Sequence, residues 1–223
     1  MNVNKSFLII MSCFPLIHAV PAVAEDGRLS ILGGISAVTC TVSPDDQYKV
    51  IRLPFVGPNS LAGAGSTAGD TRFSIKLVDC PTALKKAGIY FENGQSVESE
   101  TGFLRAFKLG NSDPLSPDGS GKHPDLYKNS ADTKVYSDSV IAESGESSES
   151  QNLRFELLDK TGKKINVGDT SQFDAEGLMT ELTESNGKNI GVITGSVRYH
   201  NLTATPPDAG YYFSHVGFVI QYP

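Results

Sequence analysis

The sequence predicts an all-β sandwich, on three observations. Runs with apolar residues at every second position recur along the chain. Gly, Pro, Asn and Asp punctuate these runs at short intervals. Helical periodicity is weak throughout, with at most one turn at Thr82–Ala87. A period of two marks a strand with one buried face.

The strands follow in order. Leu29 to Thr41 alternates loosely and contains Gly33-Gly34. Val50 to Val56 (VIRLPFV) is short and β-branched at its start. Thr71 to Val78 alternates cleanly, with Phe73, Ile75 and Leu77 on one face. Gly88 to Glu92 and Gly102 to Leu109 come next. Gly110 to Gln151 is rich in Ser, Asp, Gly and Pro, which predicts a long polar surface loop with a short strand near Lys134 to Ile141. Leu153 to Leu158 and Lys164 to Val167 flank Asp159-Lys160-Thr161-Gly162, a hairpin turn in which Gly162 is free to take positive φ. Ile190 to Ala204 and Tyr212 to Tyr222 complete the set.

The first 24 residues read as a secretory signal peptide: Lys5, an apolar stretch from Phe7 to Ile17, and the small-residue site Ala22-Val23-Ala24. The stretch is too short for a membrane span. A lipoprotein signal is the rival reading, since Ile10-Met11-Ser12-Cys13 loosely resembles a lipobox. Cleavage before Glu25 removes Lys5 and takes the net charge from −6 to −7. That balance argues against nucleic acid as a partner, because phosphate neutralisation needs a basic face. Cys13 leaves with the signal, and an exported chain with Cys40 and Cys80 implies one disulfide.

The fourteen residues from Gly210 to Pro223 (GYYFSHVGFVIQYP) carry the strongest pattern. Val216, Phe218, Ile220 and Tyr222 alternate on one face. The sequence stops inside this strand, and an open apolar edge is one that proteins normally cover. The expectation is that an earlier part of the chain covers it, or that another chain does.

Several marks coincide in a fixed order. EDGRLSILGGISAVTC leads to the first cysteine of the exported chain, and FSIKLVDCP holds the second. Gly210 is fourteenth from the end and Tyr222 next to last. Together with GIYFENG, TGFLRAFKL and VGFVIQYP, these resemble the structural pilins of chaperone–usher fimbriae, most of all the Bordetella-type major subunits. The resemblance covers nearly all of residues 25–223 and is weakest in the loop from Gly110 to Gln151.

The resemblance implies an immunoglobulin-like sandwich that lacks its last strand and is completed by a donor strand from a neighbouring subunit. It divides the chain into a signal peptide (1–24), a donor extension (25–34) and a pilin domain (35–223). On the extension, Gly27, Leu29, Ile31 and Gly33 share the face that would enter a groove, while Arg28, Ser30 and Leu32 face the other way. Gly27 matches the family's glycine at a shallow pocket. Glu25 is a departure, a charge where strand exchange begins; cleavage further upstream would leave Val20 or Val23 to help. The acceptor groove and chaperone-binding edge would comprise Gly210, Val216, Phe218, Ile220, Tyr222 and Pro223, with the Pro223 carboxylate held by basic residues of the chaperone. The implied partners are identical or related pilin subunits, a periplasmic chaperone and an outer-membrane usher, and a host receptor if the subunit is adhesive through its 110–151 loop. The implied location is a fimbria on the cell surface, reached through the periplasm.

Two rival readings stay open: the adhesive subunit, and a secreted enzyme on a closed sandwich. The sequence offers no candidate nucleophile, no metal cluster and no cofactor motif. His123, His200 and His215 have no ligand spacing with one another or with Cys. Gly119-Ser120-Gly121-Lys122 lacks the earlier glycine of a phosphate loop. Gly63, Gly65 and Gly69 have no βαβ context. Asn201-Leu202-Thr203 fits a glycosylation sequon and is read as chance.

Overall fold

The alternating runs become strands wherever a neighbour is present to complete the ladder. The computed structural model describes residues 39–110 and 148–223, all within a compact unit spanning Ala37–Pro223. The signal peptide, the donor extension, the 134–141 strand and the 119–122 motif lie outside the described residues.

The strands are β1 (Thr41–Val42), β2 (Thr67–Cys80), β3 (Lys86–Phe91), β4 (Val97–Glu98), β5 (Phe103–Gly110) and β6 (Ser148–Asp159). They continue with β7 (Met179–Glu181), β8 (Thr183–Ser185), β9 (Lys188–Asn201), β10 (Tyr211–Phe213) and β11 (Phe218–Gln221). The larger sheet runs β1-β2-β9-β6-β5-β10, with β4 beside β5 and β8 beside β9. The smaller runs β11-β3-β7. Among the described residues these strands all pair antiparallel.

The core lies between the sheets. Phe73, Ile75 and Leu77 of β2 are buried, as their alternation predicts, together with Ile89, Phe91, Leu157 and Ile193. Cys40 and Cys80 form the expected disulfide, with Cα atoms 4.0 Å apart and 40 residues between them in sequence. This pins the start of β1 to the end of β2.

The structure corrects three sequence expectations. Val50–Val56 is not a strand. Pro54 has no N–H to give a ladder, and Phe55 is 78% exposed. Lys164–Val167 forms only one bridge, Leu158 to Lys164, although the turn itself is as expected: Gly162 has φ 82, and the Asp159 carboxylate accepts from the Thr161 and Lys163 N–H groups. The run Tyr212–Tyr222 is broken into β10 and β11, because the chain leaves one sheet for the other between Phe213 and Phe218. Missed altogether was a helical turn, α1 (Pro44–Gln47), whose buried Asp46 accepts from the Lys76 N–H at 2.7 Å.

Candidate functional site: an open apolar groove

The terminal alternation sorts side chains between core and solvent as a half-buried strand should. β11 pairs with β3 in the register Phe218–Phe91, Val219–Tyr90, Ile220–Ile89 and Gln221–Gly88. Val216, Phe218, Ile220 and Tyr222 pack against the core cluster, while Val219 points outward and is 46% exposed. The four inward side chains are only half-buried. Among the described residues no strand pairs with the other edge of β11.

Beside these residues runs a groove of about 1180 Å³. Its floor is drawn from both sheets: Phe73, Ile75, Phe91, Leu104, Leu157 and Val197. Residues 47–58 and 207–216 both line it. The two stretches meet where the Phe55 ring stands edge-on to Tyr211, centroids 5.4 Å apart. Burial pushes the Tyr199 phenol up, and burial together with Asp208 does the same for Tyr212, so both groove phenols are neutral at neutral pH. The groove is therefore lined mainly by apolar side chains and adjoins an edge of β11 that no strand pairs among the described residues.

Of the sequence-predicted acceptor residues, Gly210, Val216 and Phe218 line this groove. Ile220 and Tyr222 lie beyond it along the same strand face, against the core. The Tyr222 hydroxyl accepts a hydrogen bond from the Cys40 N–H at 2.7 Å, which ties the final strand to the disulfide. Pro223 is exposed. Gly210 has φ 150, a backbone region open to glycine and strained for other residues, at the entry to β10. Gly27, Leu29, Ile31 and Gly33 lie outside the described residues.

Sequence reasoning missed two features. Val50–Val56, predicted as a strand, instead lies within the stretch 47–58 that serves as a groove wall. Its signal was present: an apolar run interrupted by Pro54, which cannot donate to a ladder. The second is Gln172, 2% exposed, whose side-chain amide accepts from the Phe91 N–H and donates to the Phe91 carbonyl, each at 3.0 Å. The Gln221 amide donates to the Ile89 and Gln172 carbonyls, each at 3.0 Å. Side-chain amides thus satisfy the backbone of β3 beyond the end of β7.

Other candidate chemistry is accounted for. Asn201 is fully buried and its amide donates to the Leu61 and Thr205 carbonyls, so the sequon is structural. His200 sits 3.4 Å from Glu156, which also pairs with Arg198 at 2.7 Å, on the outer face of the large sheet. Among the described residues no cluster of three metal-ligating side chains occurs, and no helix is long and apolar enough to cross a membrane.

A family model for the type-1 fimbrial protein FimA matches residues 53–161. The serotype 3 fimbrial subunit of Bordetella pertussis is 30% identical over 218 residues, covering 96% of this chain and 94% of its own. Fimbrial protein FimX of the same organism is 29% identical over 208 residues, covering 92% of each. The serotype 2 fimbrial subunit is 41% identical over 95 residues, covering 41% of this chain and 46% of its own. Among solved structures, the P pilus rod subunit PapA overlaps at a TM-score of 0.46 and 15% identity, covering 88% of this chain and 100% of that one.

Proposed function

The chain belongs to the type-1 fimbrial subunit family, and on that ground we propose that its open groove is the acceptor site for a donor strand from a neighbouring subunit. The protein is a structural subunit of a fimbria, a Bordetella-type pilin carried on the cell surface after periplasmic export.

The observation that carries the proposal is the free edge of β11 beside an apolar groove. An extended segment adding there satisfies the unpaired backbone groups of the edge and drops alternate side chains into the groove. Residues 25–34 have the matching pattern, with Leu29 and Ile31 facing one way. Each is worth roughly 1.5–3 kcal/mol on full burial. The donor would come from a second copy or a related subunit. The giving and receiving surfaces differ, so the contact propagates as an open filament. Before assembly, a periplasmic chaperone would occupy the same edge, holding the Pro223 carboxylate, and an outer-membrane usher would exchange one strand for the other. No catalytic step enters this role.

The test is substitution in the donor. Leu29→Asp or Ile31→Asp should leave chaperone-bound subunit in the periplasm while removing fibres from the cell surface. Normal fibres from either variant would show that residues 25–34 are not the donor.

A further inference from the structure

The outer face of the small sheet carries a row of apolar side chains that runs across the strands and stops at β11. Phe173 stacks on Tyr90 with centroids 4.8 Å apart and planes 13° from parallel. Tyr90 stands opposite Val219 in the β3–β11 register. Its hydroxyl donates to the Gly168 carbonyl at 3.1 Å, which fixes the ring. Phe173 is 52% exposed and Val219 46%. The flanking residues Ile89 and Phe91, and Phe218 and Ile220, face the core. So Phe173, Tyr90 and Val219 form one line on the outward face, and among the described residues Val219 has a strand neighbour on one side only.

The next place in that line belongs to the strand that adds to β11. A strand at that edge presents its alternate, outward residues to the same face. We infer that Leu32 of a second copy occupies this place, completing the row Phe173–Tyr90–Val219–Leu32 and so setting the register of strand exchange. The inference rests on the donor-strand reading above. Arg28, Ser30 and Leu32 are the outward candidates on the extension, and Leu32 alone is apolar. A two-residue slip keeps the same face of the donor inward, so the groove tells such registers apart only by side-chain size along Gly27, Leu29, Ile31 and Gly33. The outer row adds an independent choice, because a two-residue slip replaces Leu32 by Ser30 beside Val219. Val219 next to Leu32 places Ile31 and Gly33 beside Phe218 and Ile220 on the groove side.

The experiment is cross-linking in fibres assembled from the full-length chain on cells. Leu32→Cys combined with Val219→Cys puts two thiols on adjacent strands, about 5 Å apart between Cα atoms, within disulfide reach. A partner two residues off register is roughly 7–8 Å away and cannot bridge without backbone movement. The expected result is a ladder of covalent oligomers in SDS that collapses to monomer on reduction, with Ser30→Cys or Arg28→Cys paired with Val219→Cys giving no ladder. A ladder from the Ser30 or Arg28 pair instead overturns the inference. Heat dissociation of sheared fibres gives a second readout. Leu32→Ser and Val219→Ser should each lower the dissociation temperature, and the double variant should fall by less than the sum of the two. Additive or absent effects overturn the inference. Ile31→Asp separates the two levels. If it blocks fibres while no Leu32–Val219 ladder forms, the register is wrong and the donor strand stands. If it permits fibres, the donor-strand reading fails, and this inference with it.

Discussion

At the scale of single residues, Gly210 sets the backbone at the entry to β10 and Gln172 satisfies the backbone of β3 beside β11. Gly210 holds φ 150 where the chain enters β10, and an alanine there should cost about 1–3 kcal/mol in backbone strain, read as a lower urea midpoint. Gln172→Ala would leave the buried N–H of Phe91 unpaired, at a cost of about 1–3 kcal/mol. Gln172→Glu should not rescue it, since a carboxylate would face the Phe91 carbonyl that the amide now serves. At Asp46, burial pushes the carboxyl up, but the bonds from the Lys49 ammonium and the Lys76 N–H outweigh it and hold the group below its ordinary value. A folded-state pKa below the unfolded one stabilises above the unfolded value, about 4, and that stability is lost as pH falls through the folded value. Urea melts at pH 6 and pH 3 should therefore show a smaller loss for Asp46→Asn than for the unaltered chain. An equal loss in both would remove Asp46 from the acid limb.

At the level of elements, the disulfide and the final strand act together. The chain-entropy model gives about 4 kcal/mol for closing the 40-residue separation between Cys40 and Cys80. The paired substitution Cys40→Ser with Cys80→Ser should lower stability by about that amount. It should also loosen β11, because the Tyr222 hydroxyl is anchored on the Cys40 N–H. Tyr222→Phe alone should cost about 1 kcal/mol, measured by the same melts. The strands β2, β3, β5, β6 and β9 were legible in the sequence as apolar-rich runs between turn residues, with clean alternation in β2 at Phe73, Ile75 and Leu77, and each has neighbours in the sheets. Val50–Val56 was misread because its pattern is that of a strand but no neighbour pairs with it among the described residues. The break between β10 and β11 was illegible for another reason. Alternation reports which face is buried and not which sheet a strand joins, and Phe213 and Phe218 sit on different sheets. Gln172 was invisible because an amide that replaces a strand leaves no periodic mark.

Among the described residues, the fold is a sandwich in which the outer edge of β11 is unpaired beside an apolar groove of about 1180 Å³. Such a domain is least stable alone and most stable when a strand is supplied from outside. The acidic net charge of −6 bears on solubility and on partners, not on the groove, whose floor is apolar. On the proposed reading, polymerisation by strand addition would use two different surfaces of one chain, a donor segment and the groove, and so would propagate rather than close. The measurement that tests this most directly is thermal unfolding of the refolded 35–223 domain with and without a synthetic peptide of residues 25–34. A large, peptide-concentration-dependent rise in melting temperature, abolished by Ile31→Asp in the peptide, is the predicted result. An already stable domain whose melting temperature the peptide leaves unchanged would mean that the domain closes its own groove, and would contradict the account.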